Sequence, residues 1–289
     1  MKGTKLFWRS MLLSLAVIVP FYLVVAVYGM SRATPVQEAR TDVPITHPTS
    51  TDAKTLLVMT GQEEPEHFVL IRFDAMENRV VTMAVPGELA VPGTNGQESL
   101  VQAVQKAGPA QAAQLVYQVL GVPVSDYVYC DADTLAELTS GLGNTRMSLA
   151  NYMSAATLGE LQLSIPGVGN MTLNTQLLAQ VLAAGAANPE MELLLRAEGY
   201  LAFLKSGMEH LTEVLPDAMR TAVSECSTAL TATKIYDYER IFRFLEKQAP
   251  ECRAFTLPGT YAEDGLFRPG SQADAVVQGY LDGDSAVSD

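Results

Sequence analysis

Between residues 55 and 130, short apolar runs alternate with polar turns. Thr55–Thr60 (TLLVMT), closed by Gly61, reads as a buried strand. Phe68–Phe73 and Val80–Val85 read as two more, joined by the polar turn Asp74–Arg79. Ser99 is placed to cap a helix carrying Val101 and Val104. Pro109 opens a second helix, whose Leu115, Val116, Val119 and Leu120 share one face before Gly121 ends it. Val124–Cys130 returns to strand, and Asp133 is expected to cap a short helix stopping near Gly141.

The second half is patterned for helices. Leu173, Leu177, Leu178, Val181 and Leu182 form one helical stripe. Asn188-Pro189-Glu190 combines a cap residue, a first-turn proline and an acid near the positive helix end. From there Leu194, Ala197, Leu201, Leu204, Met208, Leu211 and Leu215 predict a single helix running to Pro216. Asp237 is expected to cap another through Tyr238, Ile241, Phe242 and Leu245. Phe255–Leu257 and Leu266-Phe267 read as edge strands around the Pro258-Gly259 turn. Strands alternating with helices predict an α/β domain whose central sheet is covered on both faces.

The N-terminus follows a different rule. Behind Lys2, Lys5 and Arg9 lies an apolar run from Met11 to Tyr28, broken by Ser14 and Pro20. With its flanking aromatics it offers about 20 residues, enough to cross a bilayer as a helix. A cleaved signal peptide has a shorter apolar core of roughly 7–15 residues and a small-x-small exit, which Val-Tyr-Gly-Met-Ser-Arg fits poorly. A buried core helix would not open the chain behind three cations. The expected organisation is a basic cytoplasmic N-terminus (1–10), a transmembrane helix (11–30) and an extracytoplasmic stalk (31–54) with Pro35, Pro44 and Pro48. The globular domain (55–281) and a disordered tail (282–289) follow.

Composition narrows the function. The 19 Lys+Arg against 32 Asp+Glu give a net charge of −13, which argues against a nucleic-acid partner. With 48% apolar residues and three Cys, the chain is not collagen-like, disordered or a disulfide framework. His47, His67 and His210, with Cys130, Cys226 and Cys252, show no metal-ligand spacing. Cys226 and Cys252 could pair outside the cytoplasm, or be two small buried residues; the sequence leaves both open. Cys130 reads as core. No nucleophile-elbow, Walker, Rossmann or kinase motif is present. Asp126, Asp131 and Asp133 resemble a carboxylate cluster, but strand alternation and helix capping account for them.

The order of whole segments is more informative. "TLLVMTGQEEPEHFVLIRFDAMENRVVTMAVPGELAV", "LGVPVSDYVYCDADTLAELTSGLGNTRMSL" and "FTLPGTYAEDGLFRPGSQADAVVQGYL" resemble the opening, middle and closing segments of the LytR-CpsA-Psr (LCP) family of bacterial envelope proteins. The resemblance covers about residues 55–281 and implies an α/β/α sandwich with a mixed central sheet, preceded by one transmembrane helix. It also implies an outward-facing domain related to transferases that move glycopolymers from undecaprenyl pyrophosphate to peptidoglycan. Such chemistry needs cations around a pyrophosphate, carboxylates for Mg²⁺ and an apolar pocket for the lipid.

The chain departs from that pattern where charge matters. The family's Arg-Ser-Asp falls on Glu64-Pro65-Glu66, and its Pro-Arg-Asp-Thr on Pro86-Gly87-Glu88-Leu89. Its Asp-x-x-Gly-Gly-Val falls on Ser140–Thr145, and the helical Arg-x-Arg is missing from Leu177–Pro189. Arg196 alone matches the second Arg of Arg-x-x-Arg-Gln, which makes it the catalytic candidate. Glu66 and Glu88 stand where metal-binding Asp residues would be, and are the Mg²⁺ candidates if the protein is active; otherwise no cofactor is expected. A unit charge pair at 4 Å is worth about 4 kcal/mol at an effective dielectric of 20, so acids in place of cations repel a pyrophosphate.

The expectation is therefore a degenerate, non-catalytic relative in the cell envelope. Its expected partners are polyprenyl-linked intermediates, lipid-linked glycopolymer or other envelope proteins. Helices over Leu115–Leu120, Leu173–Leu182 and Leu194–Leu215 could line the lipid pocket. The alternatives are an active divergent Mg²⁺-dependent transferase and a ligand-free protein-interaction module.

Overall fold

The structure, a computed structural model, describes residues 45, 47–61, 66–94, 96–161, 163 and 171–283. The expected cytoplasmic N-terminus and transmembrane helix, the whole stalk before residue 45, Glu64, Pro65 and residues 284–289 lie outside the described residues. Among those described, no helix is long and apolar enough to cross a membrane.

The chain opens with three strands, β1 (Ala53–Thr60), β2 (His67–Asp74) and β3 (Arg79–Val85), then a small hairpin, β4 (Ala90–Gly93) and β5 (Gly96–Ser99). Helices α1 (Leu100–Ala107) and α2 (Pro109–Leu120) lead to β6 (Asp126–Cys130) and α3 (Ala132–Leu138). Next come β7 (Thr145–Met147), α4 (Ala155–Glu160), β8 (Met171–Leu173), α5 (Thr175–Ala184), α6 (Pro189–Ser206) and α7 (Leu211–Glu225). The chain closes with β9 (Ser227–Thr228), α8 (Ala232–Gln248), β10 (Glu251–Thr256), β11 (Gly259–Tyr261), β12 (Phe267–Pro269) and α9 (Ala273–Asp282).

Six strands form one mixed sheet in the order β10-β3-β2-β1-β6-β9. β1 runs antiparallel to β2 with Leu57 opposite Leu70, and parallel to β6 with Val58 opposite Val128. The uninterrupted apolar runs have a simple cause: side chains alternate across the sheet and both faces are buried. Leu56 and Val58 of β1 point into one core with Val69, Ile71 and Phe73, beneath α5, α6, α7 and α8. Leu57 and Met59 point into a second core with Phe68 and Leu70, beneath α1, α2 and α9. Two cores on opposite faces make the domain an α/β/α sandwich, as the residue pattern and the resemblance predicted.

Local signals decide most boundaries. Ser99 caps α1, Pro109 occupies the first turn of α2, Gly121 ends it with φ 71°, and Asn188 caps α6. Four expectations are corrected. The cap of α3 is Asp131 rather than Asp133, its carboxylate accepting from Thr134 N at 2.7 Å. Thr231 rather than Asp237 caps α8. The helix predicted to run unbroken to Pro216 is two helices that part at Gly207, where an added Cβ would lie 2.7 Å from Leu142 Cδ2 and 3.2 Å from its Cα. Pro216 sits inside α7 instead of ending a helix. The closing segment also carries a helix, α9, with Val277 and Tyr280 buried against the sheet.

The register also bears on the cysteines. Cys252 is on β10, at one edge of the sheet, while Cys226 enters β9 at the other. Five strand spacings separate those edges, roughly 24 Å, which no disulfide spans.

Candidate functional site

On the face covered by α3, α5, α6 and α7 the helices do not close onto the sheet. A cavity of about 640 Å³ lies between them, within the size of small-molecule pockets. Leu56, Val58, Ile71 and Val128 form its floor, and Leu135, Leu178, Phe203 and Met219 stand one from each wall helix. Leu115–Leu120, expected as a pocket wall, packs in the core on the opposite face of the sheet. Of the two other expected walls, α5 and the α6–α7 pair both contribute.

Polar lining gathers where β1 and β6 end and β2 begins: Thr60, Glu66, His67, Asp131, Asp133 and Tyr200. The carboxyl ends of parallel strands are the usual mouth of an α/β ligand site. β3 ends at the same edge, which brings in Glu88. The β2–β3 register, with Phe68 opposite Val85, carries Glu66 to a position opposite Gly87. A Cβ on Gly87 would lie 3.5 Å from the Glu66 carbonyl and 2.8 Å from Val101 Cγ2. Gly87 stands where the resembling family carries an arginine, so Val101 occupies space that a side chain there would need.

Arg196 is buried on α6 at 6% exposure and donates from Nη2 to Glu192, one turn earlier. Burial pulls its pKa down, while Glu192 first, then Tyr200, Glu88 and Tyr261, hold it up. Tyr261, pushed up chiefly by burial, feels Glu88 and Glu192 as well. Arg196 and Glu88 thus share one electrostatic neighbourhood, and Glu66 adjoins it through Gly87 and His67. His67 is lowered to about 4, first by burial and then by Arg196, so it is neutral at ordinary pH. Burial pushes the Tyr200 hydroxyl up, and its side chain meets Thr60 at the end of β1.

Both candidate metal ligands, Glu66 and Glu88, are exposed. Among the described residues no group of three or more His, Cys, Asp or Glu side chains could hold a metal ion. Mg²⁺ leans on one or two carboxylates plus substrate phosphates, so this pair does not make a resident Mg²⁺ site by itself. Asp131 is engaged in capping α3, and Asp126 is buried against Lys234 Nζ at 2.6 Å; neither joins a cluster.

No family model matches the sequence, and no curated protein matches it. Solved structures do match in fold. LytR-CPS2A-psr family protein YwtF (TagT) with bound octaprenyl pyrophosphate lipid superposes with a TM-score of 0.58 at 16% identity, covering 86% of this chain and 98% of its own. The fold is that of the LytR-CpsA-Psr proteins. TagT bound to LIIa-WTA gives a TM-score of 0.61 at 16% identity, over 86% of this chain and 98% of that one. A Eubacterium siraeum protein, provisionally named a transcription regulator, gives 0.69 at 17% identity over the same shares.

The candidates Arg196, Glu66 and Glu88 lie near one another at one end of the sheet. Sequence patterning did not single out Glu192, His67 or Tyr200, which adjoin Arg196 there. Glu192, Arg196 and Tyr200 recur at intervals of four on α6, a helical-face signal that a search for metal and nucleophile motifs passes over.

Proposed function

We propose that the chain is a membrane-anchored, outward-facing envelope protein that holds the apolar chain of a polyprenyl-linked intermediate without transferring it. The apolar cavity between the sheet and α3, α5, α6 and α7 carries this reading. A site retained for lipid needs such a volume; an ordinary core would close it. The similarity in fold to TagT with bound octaprenyl pyrophosphate lipid supports the same ligand class.

The absence of transfer rests on charge. Transfer from a pyrophosphate needs cations at the leaving group. Among the described residues the cavity lining offers Glu66, Asp131 and Asp133 and no Lys or Arg, and Arg196 is already bonded to Glu192. The 11–30 segment supplies the anchor and its basic flank sets the orientation.

The test is titration of the full chain in detergent with a short-chain polyprenyl pyrophosphate, with and without Mg²⁺, followed by an assay that supplies a polyprenyl-pyrophosphate-linked glycan and a peptidoglycan acceptor and follows transfer of the glycan. Binding without transfer supports a holding protein. Transfer that requires Mg²⁺ and disappears in Glu66→Gln or Glu88→Gln replaces it with the active transferase. Absence of binding in both conditions removes the lipid reading and leaves an interaction module.

A further inference from the structure

β6 and β9 pair antiparallel, Val128 opposite Thr228 and Tyr129 opposite Ser227. One further step of that register sets Cys130 opposite Cys226. Ala229 N donates to Tyr127 O at 3.3 Å, which marks a hydrogen-bonded position. Counting along, 128/228 and 130/226 fall at non-hydrogen-bonded positions, where opposed Cα atoms approach to about 4.5 Å. Disulfides take Cα separations of roughly 4.4–6.8 Å. Each thiol lies close enough to the other to shift its titration. Cys252 lies at the far edge of the sheet and is excluded as the partner of either.

We propose that Cys130 and Cys226 are a disulfide site, joined when the protein meets an oxidising compartment. The oxidant is a disulfide-bearing donor. The Cys226 thiolate, the more accessible, attacks one donor sulfur, breaking the donor's S–S bond, releasing its other sulfur as a thiol and forming a mixed disulfide. Cys130, losing its proton, then attacks Cys226 Sγ and displaces the remaining donor sulfur, so two electrons and two protons leave with the donor's two thiols. Burial pushes both thiols up, so the thiolate is scarce at neutral pH and bond formation accelerates as pH rises.

The bond has a structural consequence at the cavity. The chain between Cys130 and Cys226 contains α3, α5, α6 and α7, every helix that walls the cavity. Closing that loop ties the end of α7, one turn beyond the cavity-lining Ala222, to the end of β6. The cavity wall is then fixed to its floor. A loop this long gains the most from cross-linking in the chain-entropy account.

The experiment oxidises the full chain with oxidised glutathione at mildly alkaline pH, then counts alkylated thiols after denaturation and maps linked peptides. One free thiol, at Cys252, and a Cys130–Cys226 linked peptide are expected. Three free thiols, or a link that includes Cys252, overturns the proposal. Reduction should lower the Tm of the oxidised wild type and of Cys252→Ser by roughly 5–15 °C, and leave Cys226→Ser unmoved. Equal shifts in all three would also overturn it.

Discussion

Arg196 donates to Glu192, one turn before it on α6, and both lie in the electrostatic neighbourhood of Glu88. A guanidinium held this way is not free to fork onto a phosphate. Glu192→Gln keeps the side-chain shape and removes the competing charge. It should strengthen binding of a short-chain polyprenyl pyrophosphate by about tenfold, at a stability cost of roughly 1–3 kcal/mol for the less compensated arginine. Titration at fixed ionic strength, beside urea unfolding, separates the two effects. Unchanged affinity would mean that Arg196 does not reach the head group.

The acids at the cavity mouth predict an order of preference among ligands sharing one chain. A prenyl alcohol should bind at least about tenfold more tightly than the matching diphosphate at low salt without Mg²⁺, because only the diphosphate is repelled by Glu66, Asp131 and Asp133. The gap should narrow as salt rises. It should narrow again in Glu66→Gln. A diphosphate preferred under all these conditions would contradict the electrostatic account.

Ala218 lines the cavity from α7 and is half-buried. Ala218→Phe places a ring into empty apolar space instead of into a packed core. The Tm should therefore hold or rise by a few degrees, while lipid binding is lost. A fall of several degrees would show that the space is not available to a side chain. Retained binding with an unchanged Tm would move the ligand elsewhere.

The sheet was legible because its strands are buried on both faces, which turns Thr55–Thr60, Phe68–Phe73 and Val80–Val85 into unbroken apolar runs. Caps that obey local chemistry, Ser99 and Asn188, were legible too. The break at Gly207 was not. It depends on the close approach of Leu142, a residue 65 positions away, and the leucine stripe continues through it. Asp133 and Asp237 are also cap-type residues, but Asp131 and Thr231 have the extended backbone that a cap requires. The cavity left no separate trace, since Leu178 or Phe203 at its wall obeys the same periodicity as a leucine in a closed core. The Cys130–Cys226 contact likewise depends on a two-residue strand that no pattern announces.

His67 supplies a pH dependence with a definite sign. Its folded value, about 4, lies below the usual 6.5, chiefly through burial and next through Arg196. Between those values the unfolded chain holds a proton that the folded chain does not. Stability is therefore full above about pH 6.5, falls as pH drops through the window, and stops falling on this account below about pH 4. The whole contribution is on the order of 3 kcal/mol. Carboxylates titrate at the lower end of the same range, so the useful quantity is the difference between wild type and His67→Gln. Urea unfolding at about pH 7 and about pH 4.5 should show the wild type losing more stability than the variant. Equal losses would mean that His67 protonates normally and stands in water. The depressed value also keeps His67 uncharged at any pH above about 5, so mild acidity should not improve diphosphate binding. An affinity that rises between about pH 7 and 5.5 and disappears in His67→Gln would instead make His67 the head-group cation that the rim otherwise lacks.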